Sequence, residues 1–252
     1  MKKYFIYCII LLNIPVICLA QNAADALIKA AEQKEKLLLE DEALLIYQSI
    51  LKADNNNWKT LCAASFLCSR CGNRKKGNDQ EVLFTSAKTL AEKAYQLNSK
   101  EAECSFVMGV AMGRMALVSS IKNKVAASRA IKFYADKAVA LNPNHAYALH
   151  LLGRYNLEVS RLSSVEILAC NQLLGGLPPG DVKSAIRCFE KCRSIDKNYI
   201  TNLLDLAYAY EKNKEVAKAK ITIAELLAAP LRMTDDAALK AEGKRLLNKL
   251  KL

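Results

Sequence analysis

The sequence has 252 residues, a formal net charge of +12, and 52% hydrophobic residues, while aromatic residues make up only 7%. Its 9 glycines and 5 prolines are about half the share found in average proteins. These values exclude a disordered chain, collagen, and an all-β sandwich or barrel, and they favour helices. The positive charge attracts anionic surfaces of every kind, so it does not select a partner.

The first 20 residues have the pattern of a secretory leader. Lys2 and Lys3 give a positive start, residues 4–19 form an apolar run, and Ala20 precedes Gln21. We expect cleavage after Ala20, which places residues 21–252 in the periplasm or outside the cell. An uncleaved membrane anchor is the alternative, because the run of about 16 residues is just short of a membrane-spanning helix.

Cysteine spacing leaves three interpretations open. Cys68 and Cys71 have the spacing of a redox or metal half-site, and Arg70 and Arg74 beside them would lower a thiolate pKa. A structural zinc site needs four ligands, and no second Cys-x-x-Cys or histidine pair accompanies this one. The alternatives are a disulfide involving Cys62, Cys68 or Cys71, and small buried apolar side chains. The seven cysteines beyond the leader are Cys62, Cys68, Cys71, Cys104, Cys170, Cys188 and Cys192.

A repeat of helix pairs is the most informative pattern in the chain. Ala185 and Ala219 are 34 positions apart, which is the length of a tetratricopeptide repeat. The pairs at residues 58–99 and 102–143 exceed that length by about ten residues, and the pair starting at Ala146 exceeds it by about twenty. These excesses predict longer helices or loops. Small residues are expected where helices approach closely, at Gly109, Gly153 and Ala207.

The last two segments predict an insertion and a cap. A helix is expected from about Leu162 to Leu174, followed by a rigid turn over residues 175–181. Pro230 ends a helix and Thr234 is the expected N-cap of the next one. Residues 21–252 are therefore predicted to form an all-α, right-handed superhelical solenoid of tetratricopeptide-like helix pairs, closed by a C-terminal capping helix.

The residues of the pair that starts at Ala146 also carry a family resemblance. The segments that carry it are His150–Tyr155, Glu158–Ser163, Pro178-Pro179, and Ala185 with Phe189. They resemble the carboxy-terminal region of the regulator of microtubule dynamics family, with a stronger match over 141–252 and a weaker one over 21–140. The chain departs from the family by having Tyr155 and Val165 where the family tends to have tryptophan. The resemblance implies a helical interaction module without catalytic residues, and the bacterial style of the leader argues against carrying over a microtubule partner.

The candidate binding residues follow from the register of the repeat. In such solenoids the first helices of the pairs line a concave groove where peptides dock, and arginine and tyrosine commonly anchor interfaces. The register places these residues in the groove: Arg70, Arg114, Tyr147, His150, Arg154, Tyr208 and Lys212. We therefore expect a scaffold that binds a protein or peptide partner. The alternative is that Arg154 and His150 pair with acids such as Glu158 across a helical turn.

Two other function classes compete with this scaffold. The basic cluster Arg70, Arg74, Lys75 and Lys76 could bind an anionic membrane or polyanion, although no nucleic-acid-binding signature with interleaved aromatics is present. Catalysis by a nucleophile needs a serine or cysteine beside a placed histidine, and Gly175-Gly176 lacks the residues of a phosphate-binding loop. The sequence thus predicts no enzyme, no cofactor, no metal site and no small-molecule substrate.

Overall fold

The computed structural model describes residues 24–173 and 175–250, and every regular element in these ranges is a helix. The candidate leader, residues 1–20, lies outside the described residues, and so does its expected cleavage point. None of the described helices combines the length and apolarity needed to cross a membrane. The helices are α1 (24–36), α2 (Glu40–Ala53), α3 (Trp58–Asn73), α4 (Asn78–Leu97), α5 (Ala102–Leu117), α6 (Ile121–Leu141), α7 (Ala146–Val159), α8 (Ser164–Leu173), α9 (Val182–Ile195), α10 (Ile200–Lys212), α11 (Val216–Ala228) and α12 (Asp236–Lys249).

These helices pack as a row of antiparallel pairs. The pairs are α3 with α4, α5 with α6, α7 with α9, and α10 with α11, and α12 packs against the last pair. The first helices also contact one another in chain order, α3 with α5, α5 with α7, and α7 with α10. Stacking in this way joins the apolar faces of neighbouring pairs. The predicted all-α solenoid of helix pairs with a C-terminal capping helix is confirmed.

Of the longer helices or loops expected from the excess residues, both are present. The second helices α4 and α6 are 20 and 21 residues long, so they absorb the excess of the pairs at residues 58–99 and 102–143, and residues 175–181 form a turn. The pair of α7 and α9 contains the inserted helix α8. Ser163 and Glu166 cap its first turn: the Ser163 amide donates to Glu166 Oε2 at 2.7 Å, and the Glu166 amide donates to Ser163 Oγ at 3.3 Å. The Asp181 side chain then caps α9 by accepting from the Ser184 amide at 2.8 Å.

Small residues set the closest contacts between helices. A Cβ atom on Gly153 would lie 2.5 Å from Cε1 of Phe189, so only glycine lets α7 and α9 approach this closely. A Cβ on Gly109 would lie 3.5 Å from Tyr134 Cβ of its partner helix α6, and 2.7 Å from Leu151 Cδ2 of the next pair. Gly109 therefore lies at a close contact within its pair, as expected, and also at one with the next pair. Ala207 is fully buried, in one cluster with Ile223 of α11.

The segment before α12 differs from its prediction. Asp235, rather than Thr234, occupies the N-cap position of α12, so the predicted Thr234 cap is wrong. The Thr234 hydroxyl instead donates to the Leu38 carbonyl at 3.0 Å, and its amide donates to Glu40 Oε1 at 2.9 Å. We call residues 230–235 the bridge segment, because they connect the end of the solenoid to the turn between α1 and α2.

Candidate functional site

The first helices and the bridge segment surround a hollow, and we call the surface that they form the concave face. A cavity of about 280 Å³ opens there. It is lined by residues of α1, α3, α5, α7 and the bridge segment: Glu35, Ala63, Phe66, Arg70, Glu103, Tyr147, Arg232 and Met233. Side chains from five separate parts of the chain therefore meet at one opening.

Tyr147 is the aromatic centre of this face. Its ring lies 5.8 Å from the Phe66 ring, 5.9 Å from the Phe106 ring and 4.8 Å from the Tyr199 ring, measured between centroids. Burial raises the pKa of its hydroxyl. The predicted groove residue thus contacts aromatic side chains of α3 and α5 and the residue that precedes α10, so it fixes the spacing of these helices.

His150 is buried, and both of its ring nitrogens have hydrogen-bond partners. Its Nε2 lies 2.8 Å from Asp205 Oδ2, and its Nδ1 lies 3.4 Å from the Tyr199 hydroxyl. Burial lowers the pKa of His150, although Asp205 acts in the opposite direction. The neutral ring then donates from Nε2 to the carboxylate and accepts at Nδ1. Sequence reasoning missed Asp205, whose only signal is a single acid within the apolar run of α10.

Arg154 shares the same carboxylate. Its Nη1 lies 3.3 Å from Asp205 Oδ2, while Nη2 lies 3.6 Å from Glu158 Oε1. The alternative pairing with Glu158 is therefore present, but the closer partner belongs to α10. Burial would raise the pKa of Asp205, yet Arg154 and His150 hold it below its ordinary value. The Arg154 side chain remains 46% exposed, so it is accessible from the concave face.

Arg114 has a different environment from Arg154. Its Nη1 donates to the Asn73 side chain at 3.2 Å, and its buried Nε has no hydrogen-bond partner in the described part of the chain. Burial lowers the pKa of Arg114, and the positive charge of Arg154 lowers it further. Arg114 is thus a partly buried cation with a buried Nε, and its hydrogen-bonded neighbour in the described part of the chain is neutral.

Two further predicted groove residues lie towards the capping helix. The Tyr208 hydroxyl donates to Glu242 Oε1 of α12 at 2.7 Å, and its ring packs against the buried cluster that includes Leu203 and Leu226. Lys212 is exposed at the end of α10. The structure therefore brings together Arg114, Tyr147, His150 and Arg154, and it engages the Tyr208 hydroxyl with the cap.

Two of the four cations in the basic cluster are held in ion pairs. Glu40 is 2% exposed and pairs with Arg70 and with Arg74, whose Nη1 lies 2.8 Å from Glu40 Oε2. Arg74 also lies 3.3 Å from Asp41 and 3.6 Å from Asp235 of the bridge segment. Burial alone would raise the pKa of Glu40, but Arg70, the Thr234 amide and Arg74 hold it below its ordinary value. Sequence reasoning missed Glu40, which is at least thirty positions from its cationic partners.

Lys75 and Lys76 complete the basic cluster and are exposed. The Lys75 ammonium lies 3.9 Å from Asp41 Oδ1, a long and solvated pairing that contributes little. The cluster is therefore a pair of surface lysines beside a buried ion-pair network, and it does not present four cations to solvent.

Cys68 and Cys71 do not have the surroundings of reactive thiols. Burial raises the pKa of Cys68 to about 12 and that of Cys71 to about 11. Arg74 donates to Cys71 Sγ at 3.3 Å, but its charge does not outweigh burial, so the expected lowering of the thiolate pKa is wrong. The Sγ atoms of Cys62 and Cys104 lie 3.6 Å apart without a bond, and all seven described cysteines are free thiols.

A metal site is the other chemistry that the spacing of Cys68 and Cys71 allowed. Across residues 24–173 and 175–250, no three or more histidine, cysteine, aspartate or glutamate side chains are grouped so that they could hold a metal ion.

Two solved structures have a similar fold, and one of them is described as a tetratricopeptide protein. The crystal structure of TTC0263, a thermophilic tetratricopeptide protein of Thermus thermophilus, matches with a TM-score of 0.66 and 14% identity over 89% of this chain and 99% of that chain. The structure of pilF from Pseudomonas aeruginosa matches with a TM-score of 0.53 and 15% identity over 92% and 93% of the two chains. Identities this low show the fold alone.

Sequence relatives point to one family. Regulator of microtubule dynamics protein 1 of Bos taurus is 24% identical over 224 residues, which are 86% of this chain and 69% of that protein. Regulator of microtubule dynamics protein 2 of Bos taurus is 26% identical over 165 residues, and protein 1 of Mus musculus is 24% identical over 173. The matches cover 65% and 68% of this chain, but only 40% and 57% of those two relatives.

The family model described as Regulator of microtubule dynamics protein 1-3 matches residues 21–251. The resemblance placed most strongly on residues 141–252 is therefore confirmed, and it extends through residues 21–140. The chain belongs to the regulator of microtubule dynamics family.

Proposed function

We propose that this chain is a non-catalytic scaffold of the cell envelope, and that its concave face binds a protein or peptide partner. The fold and the family support an interaction module. The observation that carries the proposal is the hollow itself, where Tyr147 of α7 meets Phe66 and Arg70 of α3. Aromatic and arginine side chains commonly anchor interfaces, and Arg154 on the same helix as Tyr147 is 46% exposed. The location in the envelope rests on the leader-like pattern of residues 1–20.

The absence of catalysis is supported by the state of the groups that would perform it. A general base needs a free nitrogen, and both nitrogens of His150 are engaged, by Asp205 and Tyr199. A cysteine nucleophile needs an accessible thiolate, whereas Cys68 and Cys71 are buried with raised pKa values. The buried thiols and the ion pairs of Arg70 and Arg74 favour the concave face over a redox role or an anionic-surface role.

A pull-down from the native envelope fraction tests the proposal. Wild-type protein is compared with Arg154→Glu, which reverses the accessible charge of the concave face, and with Arg187→Glu as a matched control. Arg187 is exposed on the second helix α9, away from the concave face. We expect wild type and Arg187→Glu to recover the same proteins, and Arg154→Glu to lose them.

Circular dichroism of each variant checks that the helices are intact. Because Arg154→Glu adds a third acid beside Asp205 and Glu158, Arg154→Gln is included as a milder variant. Equal recovery of every protein by folded wild type, Arg154→Gln and Arg154→Glu would show that the concave face is not the binding surface.

A further inference from the structure

Two buried thiols of neighbouring helix pairs are in contact between α3 and α5. Cys62 of α3 and Cys104 of α5 are 2% and 0% exposed, and their Sγ atoms lie 3.6 Å apart. Both belong to the apolar cluster in which these two helices pack against each other. They are 42 positions apart in the sequence, so the stacking of the pairs brings them together. The contact therefore joins two repeats of the solenoid.

This contact is close to the geometry of a disulfide. Bonded sulfur atoms lie about 2.05 Å apart, so the two Sγ atoms need to approach each other by about 1.5 Å. Both side chains are short and already face each other, so rotation about their own torsion angles moves the sulfur atoms in the required direction. A bond at this point needs no rearrangement of the helix pairs.

The two thiols differ in a way that suits disulfide formation. The hydrogen bond from Cys62 lowers the pKa of the Cys104 thiol, although burial acts against it, and the same hydrogen bond raises the pKa of Cys62. The thiolate is the attacking form in thiol–disulfide exchange. Cys104 is therefore the first nucleophile, and Cys62 is the thiol that completes the bond.

We infer that Cys62 and Cys104 form a disulfide that links α3 to α5 when a small disulfide oxidant such as oxidised glutathione is present. The Cys104 thiolate attacks one sulfur of the oxidant, which forms a mixed disulfide and releases one thiolate. The Cys62 thiol then loses its proton and attacks the Cys104 sulfur, which forms the internal bond and releases the second thiolate. The two protons of the protein thiols end on the two released thiols, and two electrons pass to the oxidant.

The cross-link is adjacent in sequence to two residues of the hollow. Ala63 follows Cys62, Glu103 precedes Cys104, and both line the cavity of the concave face. A covalent bond here fixes the spacing of α3 and α5, and therefore the opening between them. The inference goes beyond the proposed function. The cell envelope would supply oxidising conditions, but the bond itself requires only the contact and an oxidant.

Refolding in glutathione buffer, followed by peptide mapping, tests the inference. The full chain is unfolded in urea with a reductant and refolded by dilution into mixtures of reduced and oxidised glutathione. It is then alkylated in denaturant and digested with trypsin without reduction. Trypsin releases residues 60–70, which contain Cys62 and Cys68, and residues 101–114, which contain Cys104. We expect these two peptides mainly as one disulfide-linked species.

The chain kept in urea in the same glutathione buffer is the control for proximity. Without the fold, its cysteines pair at random, so the linked species should be a minor part of a mixture. A larger share in the refolded chain shows that the contact between α3 and α5 directs the pairing.

Variants identify which cysteine of peptide 60–70 is linked. Cys68→Ala is the matched control, because Cys68 is also fully buried on α3, and the linked species should persist in it. We expect the species to disappear in Cys62→Ala. Oxidation should raise the Tm of wild type and Cys68→Ala by about 5–10 °C, and it should leave the Tm of Cys62→Ala and Cys104→Ala unchanged. If Cys62→Ala does not refold, the peptide map of Cys68→Ala alone decides.

Three results would overturn the inference. The first is that both peptides stay unlinked in refolded wild type even when oxidised glutathione is in excess. The second is a linked species that is lost in Cys68→Ala, because the bond would then belong to Cys68. The third is a final product in which Cys104 carries glutathione and Cys62 remains a thiol. None of these results affects partner capture by the concave face, which the pull-down tests separately.

Discussion

Gly153, which has no side chain, determines how closely α7 and α9 pack. Phe189 is fully buried and its ring edge occupies the space where a Cβ of residue 153 would stand. The ring cannot retreat without disturbing the tightly packed side chains around it. Gly153 is therefore required by packing, and its helical backbone needs no special conformation.

We expect Gly153→Ala to lower the free energy of unfolding by about 1–3 kcal/mol, because the added methyl group overpacks the Phe189 contact. Gly113→Ala is the matched control, since its Cβ would meet only Ile131, with Cδ1 at 3.6 Å, an ordinary contact. This control should be neutral or stabilise the helix by up to about 1 kcal/mol. Urea unfolding measures both variants, and a Gly153→Ala chain as stable as Gly113→Ala would contradict the packing interpretation.

The sequence predicts the burial of a residue where the repeat determines its environment. Gly153 and Ala207 occupy positions where the helix pair dictates a small residue, so their burial could be predicted. The partner of Arg154 could not, because Asp205 lies 51 positions away and is brought close only by the stacking of two pairs. The register places a residue on a face, but it does not say which charge the neighbouring pair presents.

Between elements, the His150–Asp205 hydrogen bond connects α7 to α10 and makes their contact sensitive to pH. The charges that face His150 are Asp205 of α10, Arg154 of its own helix and Arg114 of α5, and the neutral Tyr199 hydroxyl lies at its other nitrogen. Burial holds the pKa of His150 below the ordinary value of 6.5. The unfolded chain therefore binds a proton at this residue more readily than the folded chain.

Acidification should therefore lower the free energy of unfolding, because His150 binds a proton more readily in the unfolded chain. As pH falls through 6.5 towards the lower folded pKa, the unfolded state gains protons first and the free energy of unfolding falls. Urea unfolding at about pH 7.5 and about pH 5.5, on either side of the ordinary histidine pKa, should show a larger loss of stability for wild type than for His150→Gln, which does not titrate. Identical losses in the two proteins would show that His150 does not carry this dependence.

The element lengths themselves were largely predictable. A fixed repeat length makes any excess visible, and the excess of the pairs at residues 58–99 and 102–143 appears as the long helices α4 and α6. The inserted helix α8 was predicted from its own start and turn signals. Thr234 was misassigned because a threonine before two aspartates has the pattern of an N-cap, and a tertiary contact with Leu38 and Glu40 replaces that local role.

For the whole molecule, the bridge segment joins parts of the chain that the repeat alone would leave apart. The Thr234 hydroxyl and the Leu38 carbonyl are separated by 196 positions, and no sequence pattern connects them. Leu38 has a φ of 62°, a conformation that side chains other than glycine rarely adopt. Its carbonyl is the acceptor at this point, so the contact with the bridge segment includes a strained turn.

Glu40 lies at the centre of the contact between the bridge segment and the turn between α1 and α2, which we call the closure. The direction in which its contribution to stability changes with pH follows from its pKa. Burial would raise its pKa, but Arg70, the Thr234 amide and Arg74 together hold the value below 4.5. Its contribution to stability is therefore complete above about pH 4.5, and is lost as pH falls through the lower pKa of the folded state. Below about pH 4.5, acid should therefore loosen the bridge segment, because Glu40 accepts from the Thr234 amide of that segment.

Glu40→Gln should reproduce this loosening at neutral pH. The amide cannot neutralise Arg70, whose side chain is only 11% exposed, so we expect a loss of about 3 kcal/mol in the free energy of unfolding. Hydrogen exchange should accelerate at the Thr234 amide and across the bridge segment. Asp41→Asn is the control, because that carboxylate is 62% exposed and should contribute less than about 1 kcal/mol. Unchanged exchange in Glu40→Gln would mean that the closure does not depend on this carboxylate.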